Sequence, residues 1–193
     1  MISKPQILET LRTIDDPEMP ISIVDLGLVV DIRIQPDSAD ETSRIEIDLT
    51  PTFIGCPALD MIRADVQRRV AADCGVSPNN VTVNYLMSPR WTADRISEAG
   101  RARLKKFGVT VPENCGNASV HSAAADDTVE QIIARSTSMT TVPLTIGGAP
   151  ASVPCPYCDA ANTQMESPFG PTRCRMIYYC PACKNSFEHL KAI

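Results

Sequence analysis

The chain has 193 residues with a hydrophobic fraction of 44%, enough for one domain of ordinary size plus a small appendage and typical of a globular protein. A net charge of -5 argues against a general nucleic-acid binder, which usually needs a basic surface. No apolar run approaches the roughly 18 residues of a membrane span, and Met1 to Thr10 lacks the apolar core of a signal peptide; no membrane partner is expected, and the expected compartment is the cytoplasm.

Lys4 to Ile14 reads as a helix, because Ile7, Leu8, Leu11 and Ile14 recur at helical spacing. Asp15-Asp16-Pro17 ends it, since the residue before a proline is pushed out of the helical region. Ile23 to Ile34 is mostly apolar and β-branched, broken by Gly27, and its second half, Leu28 to Ile34, predicts a strand. After a polar turn at Gln35 to Thr42, Arg44 to Leu49 alternates strictly, with Ile45, Ile47 and Leu49 on one face and Arg44, Glu46 and Asp48 on the other. That predicts a half-buried strand in a hairpin with the first.

Cys56 to Asp73 predicts a second helix with Leu59, Ile62, Val66 and Val70 as its buried stripe. Pro57 suits the first helical position, which places Cys56 at or next to the N-cap. Gly75 is the expected stop. Asn80 to Met87 predicts a third strand. Thr92 is the expected cap of a third helix running to Phe107, with Ile96, Leu104 and Phe107 inward and Gly108 ending it. The order helix, strand, strand, helix, strand, helix predicts an α+β domain over residues 1–110. Residues 111–150 are rich in Ala, Ser, Thr, Asn and Gly and read as a linker, with a short helix at Thr128 to Ala134.

Residues 151–193 form the third segment. Of the eight cysteines, five fall between Cys155 and Cys183. In a reducing compartment such clustering points to metal or thiol chemistry. Cys155-Pro-Tyr-Cys158 and Cys180-Pro-Ala-Cys183 are two Cys-x-x-Cys turns, each able to aim two sulfurs at one ion, and together they complete the tetrahedral thiolate shell that a structural zinc prefers. Iron, alone or in an iron–sulfur cluster, takes the same ligands, and disulfides or idle thiols are the bland alternative. Arg173 to Tyr179 and Ser186 to Leu190 read as ribbon strands. A segment of about 40 residues cannot build a sufficient core alone, so the metal would supply much of its folding free energy. Cys174 is a fifth thiol nearby, either a further ligand, a neighbour of the ligands, or a small buried residue.

Thr50 to Pro57 joins a strand to a helix, and a cysteine capping that helix would have its thiol pKa lowered by N–H groups and the helix dipole. Cys56 is therefore a candidate nucleophile or soft-metal ligand, or only a snug cap beside Gly55. Asp16-Pro-Glu-Met-Pro20 sets two carboxylates, Asp16 and Glu18, in a rigid loop, although Asp and Pro also commonly end helices. Trp91, the single tryptophan, is expected in the core. Cys115, with His121 six residues on, is a minor metal candidate, and Cys74 is expected at a helix end or in the core.

Asp16-Pro-Glu-Met-Pro20, Asp25-Leu-Gly27 and Gly55-Cys-Pro57 together resemble the iron–sulfur assembly domain family that includes SufT. Trp91-Thr-Ala-Asp94, Glu98-Ala-Gly100, Phe169-Gly-Pro-Thr-Arg-Cys174 and the closing cysteine ribbon narrow the resemblance to the PaaD family, accessory subunits of phenylacetyl-CoA epoxidase systems. The resemblance covers nearly the whole chain except the linker. It implies a small iron–sulfur assembly-type domain followed by a linker and a zinc ribbon, and a maturation role for the iron–sulfur cluster of a partner reductase in a multicomponent monooxygenase that also has oxygenase subunits. It implies Cys56 as the candidate cluster-handling thiol, for iron or a transiently held cluster, with Asp16 and Glu18 near it. The family's stretch before the ribbon often carries Cys-x-His; here Asn114-Cys115-Gly116 stands with His121 displaced.

No Glu-x-x-His pair exists for a di-iron site, no glycine-rich phosphate loop appears, and two histidines give no Ser–His–Asp constellation. The expectation is an accessory protein without catalysis of its own. The alternative is a structural subunit that stabilises the oxygenase complex through its metal ribbon.

Overall fold

The structure, a computed structural model, describes residues 2–36, 43–112 and 153–191. Helix α1 spans Lys4–Arg12, with the Ser3 hydroxyl accepting from the Gln6 N–H and Pro5 in the first turn, where its missing N–H costs nothing. It stops two residues earlier than the apolar spacing predicts. Ile14 is buried beyond the helix, and Asp15 bridges to Ser22 across the acidic loop.

Strands β1 (Val29–Pro36) and β2 (Ser43–Leu49) pair antiparallel, as expected. Helix α2 (Ala58–Cys74) then crosses back to β3 (Val81–Tyr85), which runs parallel to β2. Both helices lie on one face of this three-stranded sheet, where Ile7, Leu11, Ile45, Ile47, Ile62, Val66 and Val70 close the core. On the other face Arg33 holds Glu46 at 3.1 Å and Asp48 at 3.0 Å, and Asn84 also reaches Asp48 at 3.0 Å. That is why Asp48 is buried although it alternates with the core side chains.

Two predicted helix starts are corrected. In α2 the N-cap is Pro57, without a side-chain capping bond, and Cys56 precedes it. The buried stripe is Ala58, Ile62, Val66 and Val70, while Leu59 is half-buried. Gly75 ends α2 in the left-handed conformation, as expected. Helix α3 spans Glu98–Phe107 and is capped by Ser97, whose hydroxyl accepts from the Gly100 N–H at 3.0 Å. Thr92 instead leads a single 3₁₀ turn at Ala93–Arg95. Leu104 is buried as predicted, but Phe107 is 58% exposed. Trp91 is buried, and its indole N–H donates to the Leu26 carbonyl at 2.8 Å.

Gly27 of Asp25-Leu-Gly27 has φ +76, and a Cβ there would lie 2.5 Å from the Arg95 carbonyl oxygen. Only glycine permits that approach without strain. The Arg95 guanidinium donates back to the Gly27 and Val29 carbonyls. Asp25 accepts from the Ser22 hydroxyl at 3.0 Å and the Ser97 hydroxyl at 2.8 Å. The motif is thus a clamp tying α3 to the loop before β1.

After Gly108, strand β4 (Val109–Thr110) leaves α3 and pairs in parallel with the last strand of the ribbon. The ribbon itself is β5 (Gln164–Ser167), β6 (Arg175–Cys180) and β7 (Asn185–Leu190), giving a second sheet of order β4-β7-β6-β5. The Glu188 N–H adds a bond to the Gly108 carbonyl at 3.0 Å. The fold is therefore α+β: a mixed α/β unit on whose edge a four-cysteine ribbon is seated by shared backbone hydrogen bonds. No helix among the described residues is long and apolar enough to cross a membrane. Cys115, His121, the helix predicted at Thr128 to Ala134 and most of the predicted linker and of the turn before β2 lie outside the described residues.

Candidate functional site

The acidic loop is closed on itself. The Asp16 N–H donates to the Ile21 carbonyl at 2.9 Å, and the Glu18 N–H donates to the Asp16 carboxylate at 2.8 Å. Pro17 and Pro20 restrict the backbone between these bonds, while Met19, Ile21 and Ile23 anchor the loop in the core. Asp16 is 9% exposed. Burial pushes its pKa above the ordinary carboxylate value, Glu18 adds to that, and the Glu18 and Met19 N–H groups and Arg175 act against it.

Cys56 sits opposite. Its N–H donates to the Phe53 carbonyl at 3.2 Å, and its carbonyl accepts from Leu59 at 3.3 Å, so the Thr50 to Pro57 loop is a tight turn feeding α2. The thiol is half-buried. Its pKa is raised, which corrects the expectation of a thiol lowered by the helix end. Burial is the main cause, the charges of Glu18, Asp16 and Cys174 add to it, and one N–H, that of Ala58, opposes it. Because Cys56 stands one residue ahead of the cap, it collects too little of the helix N-terminus to offset nearby carboxylates. Beside the loop lies a largely apolar cleft of about 390 Å³ lined by Thr50, Phe53, Ile54, Met87 and Trp91.

The ribbon reaches this place. A Cβ on Gly55 would lie 3.7 Å from the Arg173 guanidinium. Cys174 is 5% exposed and buried in the same apolar cluster as the N-terminal unit, and Cys56 packs against that cluster. The Cys174 thiol lies 3.1 Å from the Thr172 hydroxyl. Arg175 is buried, bonded to Thr172 at 2.8 Å and paired with Glu188, and its charge bears on Asp16. The charges of Asp16 and Glu18 thus reach Cys56, and the Arg173-Cys174-Arg175 segment borders the same loops, with Arg173 against Gly55 and the Arg175 charge bearing on Asp16. Sequence reasoning missed that last placement. The available signal was two arginines flanking a cysteine at the mouth of an apolar strand.

The second constellation is the ribbon's own. The sulfurs of Cys155, Cys158, Cys180 and Cys183 all lie within 4.8 Å of one another, with Cys155 to Cys183 and Cys158 to Cys180 both 3.6 Å. A tetrahedral ion with metal–sulfur bonds of about 2.3 Å needs sulfur–sulfur edges of about 3.8 Å, whereas a disulfide needs about 2.05 Å. The donor set therefore fits a metal and not two disulfides. N–H groups of Tyr157 and Cys158 point at the Cys155 sulfur, that of Ala160 at Cys158 and that of Asn185 at Cys183. Such donors stabilise the thiolates a metal requires. Asp159 and Lys184, each directly after a Cys-x-x-Cys turn, adopt φ 56 and φ 59, which turns the chain so that those N–H groups face inward. Cys174 is not part of this group.

Comparison with known proteins agrees with both halves. Residues 4–83 match the family model described as iron-sulfur cluster assembly protein, and residues 140–191 match the one described as PaaD zinc beta ribbon domain. A protein of Escherichia coli K12, provisionally named as one of the subunits of 1,2-phenylacetyl-CoA epoxidase, is 28% identical over 196 residues, covering 100% of this chain and 96% of that one. A Porphyromonas gingivalis protein named Fe-S protein maturation auxiliary factor is 33% identical over 51% of this chain and 87% of its own length. A Bacillus subtilis protein of the same printed description is 32% identical over 52% of this chain and 92% of its own.

Proposed function

The chain belongs to the iron–sulfur cluster assembly protein family and carries a PaaD zinc β-ribbon, and on that premise we propose that it is an accessory maturation factor of a phenylacetyl-CoA epoxidase-type multicomponent monooxygenase. In this reading it works in the cytoplasm and assists iron–sulfur cluster assembly in the partner reductase during aromatic catabolism. Cys56 is the cluster-handling thiol, and Asp16 and Glu18 supply negative charge beside it. The four ribbon cysteines hold zinc, and the ribbon over residues 151–193 is a structural or docking module behind a linker at 111–150. The iron or cluster is cargo; the ribbon ion is resident and supplies folding free energy.

The observation that supports this most is that the chain aligns end to end with a protein named for the epoxidase, while its half-buried Cys56 thiol stands within reach of the charges of Asp16 and Glu18. The raised Cys56 pKa disfavours attack at neutral pH, which requires a free thiolate, whereas a bound cation can itself drive the proton off. The test is the iron and sulfide content of the co-expressed reductase with wild-type chain, without it, and with Cys56→Ser. The proposal expects occupancy to fall in both altered strains. Full occupancy in both would leave a structural role in the oxygenase complex as the better account.

A further inference from the structure

We propose that the cavity between α3 and the ribbon is a binding site for a small aliphatic hydroxy acid in its carboxylate form, separate from both the Cys56 loop and the four-cysteine group. The inference goes beyond the maturation role and does not rest on Cys56.

The cavity lies where β4 leaves α3 to pair with β7, and its volume is about 530 Å³, within the range that takes a small organic molecule. Arg101 and Lys105 of α3 and Thr110 of β4 line it from one side, and Asp159 and His189 of the ribbon from the other. Lys105 is taken by Asp159 at 2.7 Å. Arg101 is half-buried, and its hydrogen-bond partners among the described residues are carbonyls, those of Ala93 and Pro112. Carbonyl dipoles occupy some of its N–H groups and leave its charge unmatched. A carboxylate meeting the guanidinium fork supplies the missing charge. With Lys105 and Asp159 cancelling, the charge left over in the cavity is that of Arg101, which suits a monoanion.

The other polar group is His189, 9% exposed and kept neutral by burial. Its Nδ1 lies 2.8 Å from the Thr110 hydroxyl, which also reaches the Glu188 carbonyl at 3.3 Å. A hydroxyl has a single proton to give. Both contacts are made only when Thr110 donates to Glu188 and the His189 Nδ1–H donates to Thr110, which leaves Nε2 as a bare acceptor. The sealed side-chain nitrogens without a partner among the described residues are the Nε atoms of Arg63 and Arg69. Nε2 of His189, also without a partner there, is therefore open to the cavity that the ring lines. The ligand must bring it a donor. An ammonium would cancel the ligand's negative charge, whereas a hydroxyl does not. Val109, Val111, Val153 and Pro154 make the remaining walls apolar, which suits a short hydrocarbon body; inorganic phosphate offers them nothing. A ligand so held touches α3, β4 and the ribbon at once, so its binding also stabilises the seating of the ribbon.

The experiment titrates the full, zinc-loaded chain at constant ionic strength with each enantiomer of 3-hydroxybutyrate, with butyrate and with inorganic phosphate, following the His189 ring and Thr110 amide resonances. Saturable shifts are expected. Butyrate should bind about 5- to 10-fold more weakly than the preferred 3-hydroxybutyrate enantiomer, the usual effect of one hydrogen bond, and phosphate more weakly than that enantiomer. The ring nitrogen shifts of the free chain should show Nδ1 protonated and Nε2 bare. Arg101→Gln should weaken both carboxylates by about 10-fold or more. Arg101→Lys, which keeps the charge without the fork, should lose less; melting curves report folding, and the lysine variant carries the comparison if the glutamine variant unfolds. His189→Phe should erase the preference for the hydroxyl and leave butyrate binding in place. Equal affinities for butyrate and 3-hydroxybutyrate, a protonated Nε2 in the free ring, or phosphate bound more tightly than 3-hydroxybutyrate each overturn the hydroxy-acid assignment. Affinities unchanged by Arg101→Gln place the anions elsewhere, and no saturable shift with any probe removes the site. All of these outcomes leave the reading of Cys56 untouched.

Discussion

Acid should loosen the seam through one side chain, His189. Its ring stands in β7 against Tyr178 at 5.5 Å between centroids, and its Nδ1 lies 2.8 Å from the Thr110 hydroxyl of β4. The residue is 9% exposed. Arg101, Lys105 and Asp159 line the same cavity, and Lys105 already pairs with Asp159 at 2.7 Å. Burial lowers the imidazole pKa from 6.5 to about 4. The folded state thus disfavours the charged ring, so the neutral ring's contribution is complete above the unfolded value and disappears as pH falls from 6.5 towards 4. The full displacement corresponds to about 3 kcal/mol, of which about 2 kcal/mol is lost by pH 5. Denaturant unfolding of the zinc-loaded chain at pH 7.5 and pH 5, compared with His189→Gln, isolates this part. The glutamine keeps a polar end near Thr110 and cannot titrate, and losses common to both chains, such as metal release, cancel. The wild type should lose about 2 kcal/mol more than the variant. Equal losses would refute a neutral, desolvated His189 at the seam.

Three further outcomes are expected. Cys180→Ser should abolish stoichiometric zinc by elemental analysis and melt the ribbon, because apparent zinc-binding free energies of about 10–16 kcal/mol have no substitute in so small a core; the Trp91 near-ultraviolet signal of the N-terminal unit should persist, and a variant retaining one tightly held zinc would contradict the ligand set. Asp25→Ala removes the acceptor of two hydroxyl bonds and should cost about 2–3 kcal/mol in thermal or denaturant unfolding without lowering ferrous iron affinity; a selective loss of iron would move Asp25-Leu-Gly27 from clamp to site. Gly108→Ala forces a side chain into φ +90 and to 2.2 Å from the Tyr157 hydroxyl of the ribbon, so destabilisation of about 1–2 kcal/mol is expected, and a variant as stable as wild type would show that the ribbon does not pack on Gly108.

What was legible in the sequence was local. The alternation of Ile45, Ile47 and Leu49 gave the β2 strand, and the paired Cys-x-x-Cys turns gave the four-sulfur group, because the spacing itself carries those geometries. Helix starts were misplaced where two capping residues competed. Thr92 and Ser97 both suit an N-cap, and the choice falls to Ser97 because its N–H and hydroxyl are both taken by Asp25, a tertiary contact. The parallel pairing of Val109 and Thr110 with Glu188 and His189, and the meeting of Cys174 with the Cys56 loop, join positions far apart in the chain. No local pattern encodes them. The number of ribbon cysteines showed that one was left over, and burial decided where it went.

The resting state of Cys56 narrows the chemistry open to it. Burial and the charges of Glu18 and Asp16 hold its proton on, which makes a poor nucleophile and slows oxidation, since both proceed through the thiolate. The same negative charges stabilise an arriving cation, whose own field then lowers the thiol pKa and drives the proton off. A thiol kept neutral until a cation reaches it is inert towards oxidants and ready for a metal. Two consequences separate this from nucleophilic catalysis: alkylation of Cys56 should be slow at neutral pH in the metal-free site, and iron binding should strengthen as pH rises because protons are released. Rapid alkylation at neutral pH together with pH-independent iron binding would reverse the assignment.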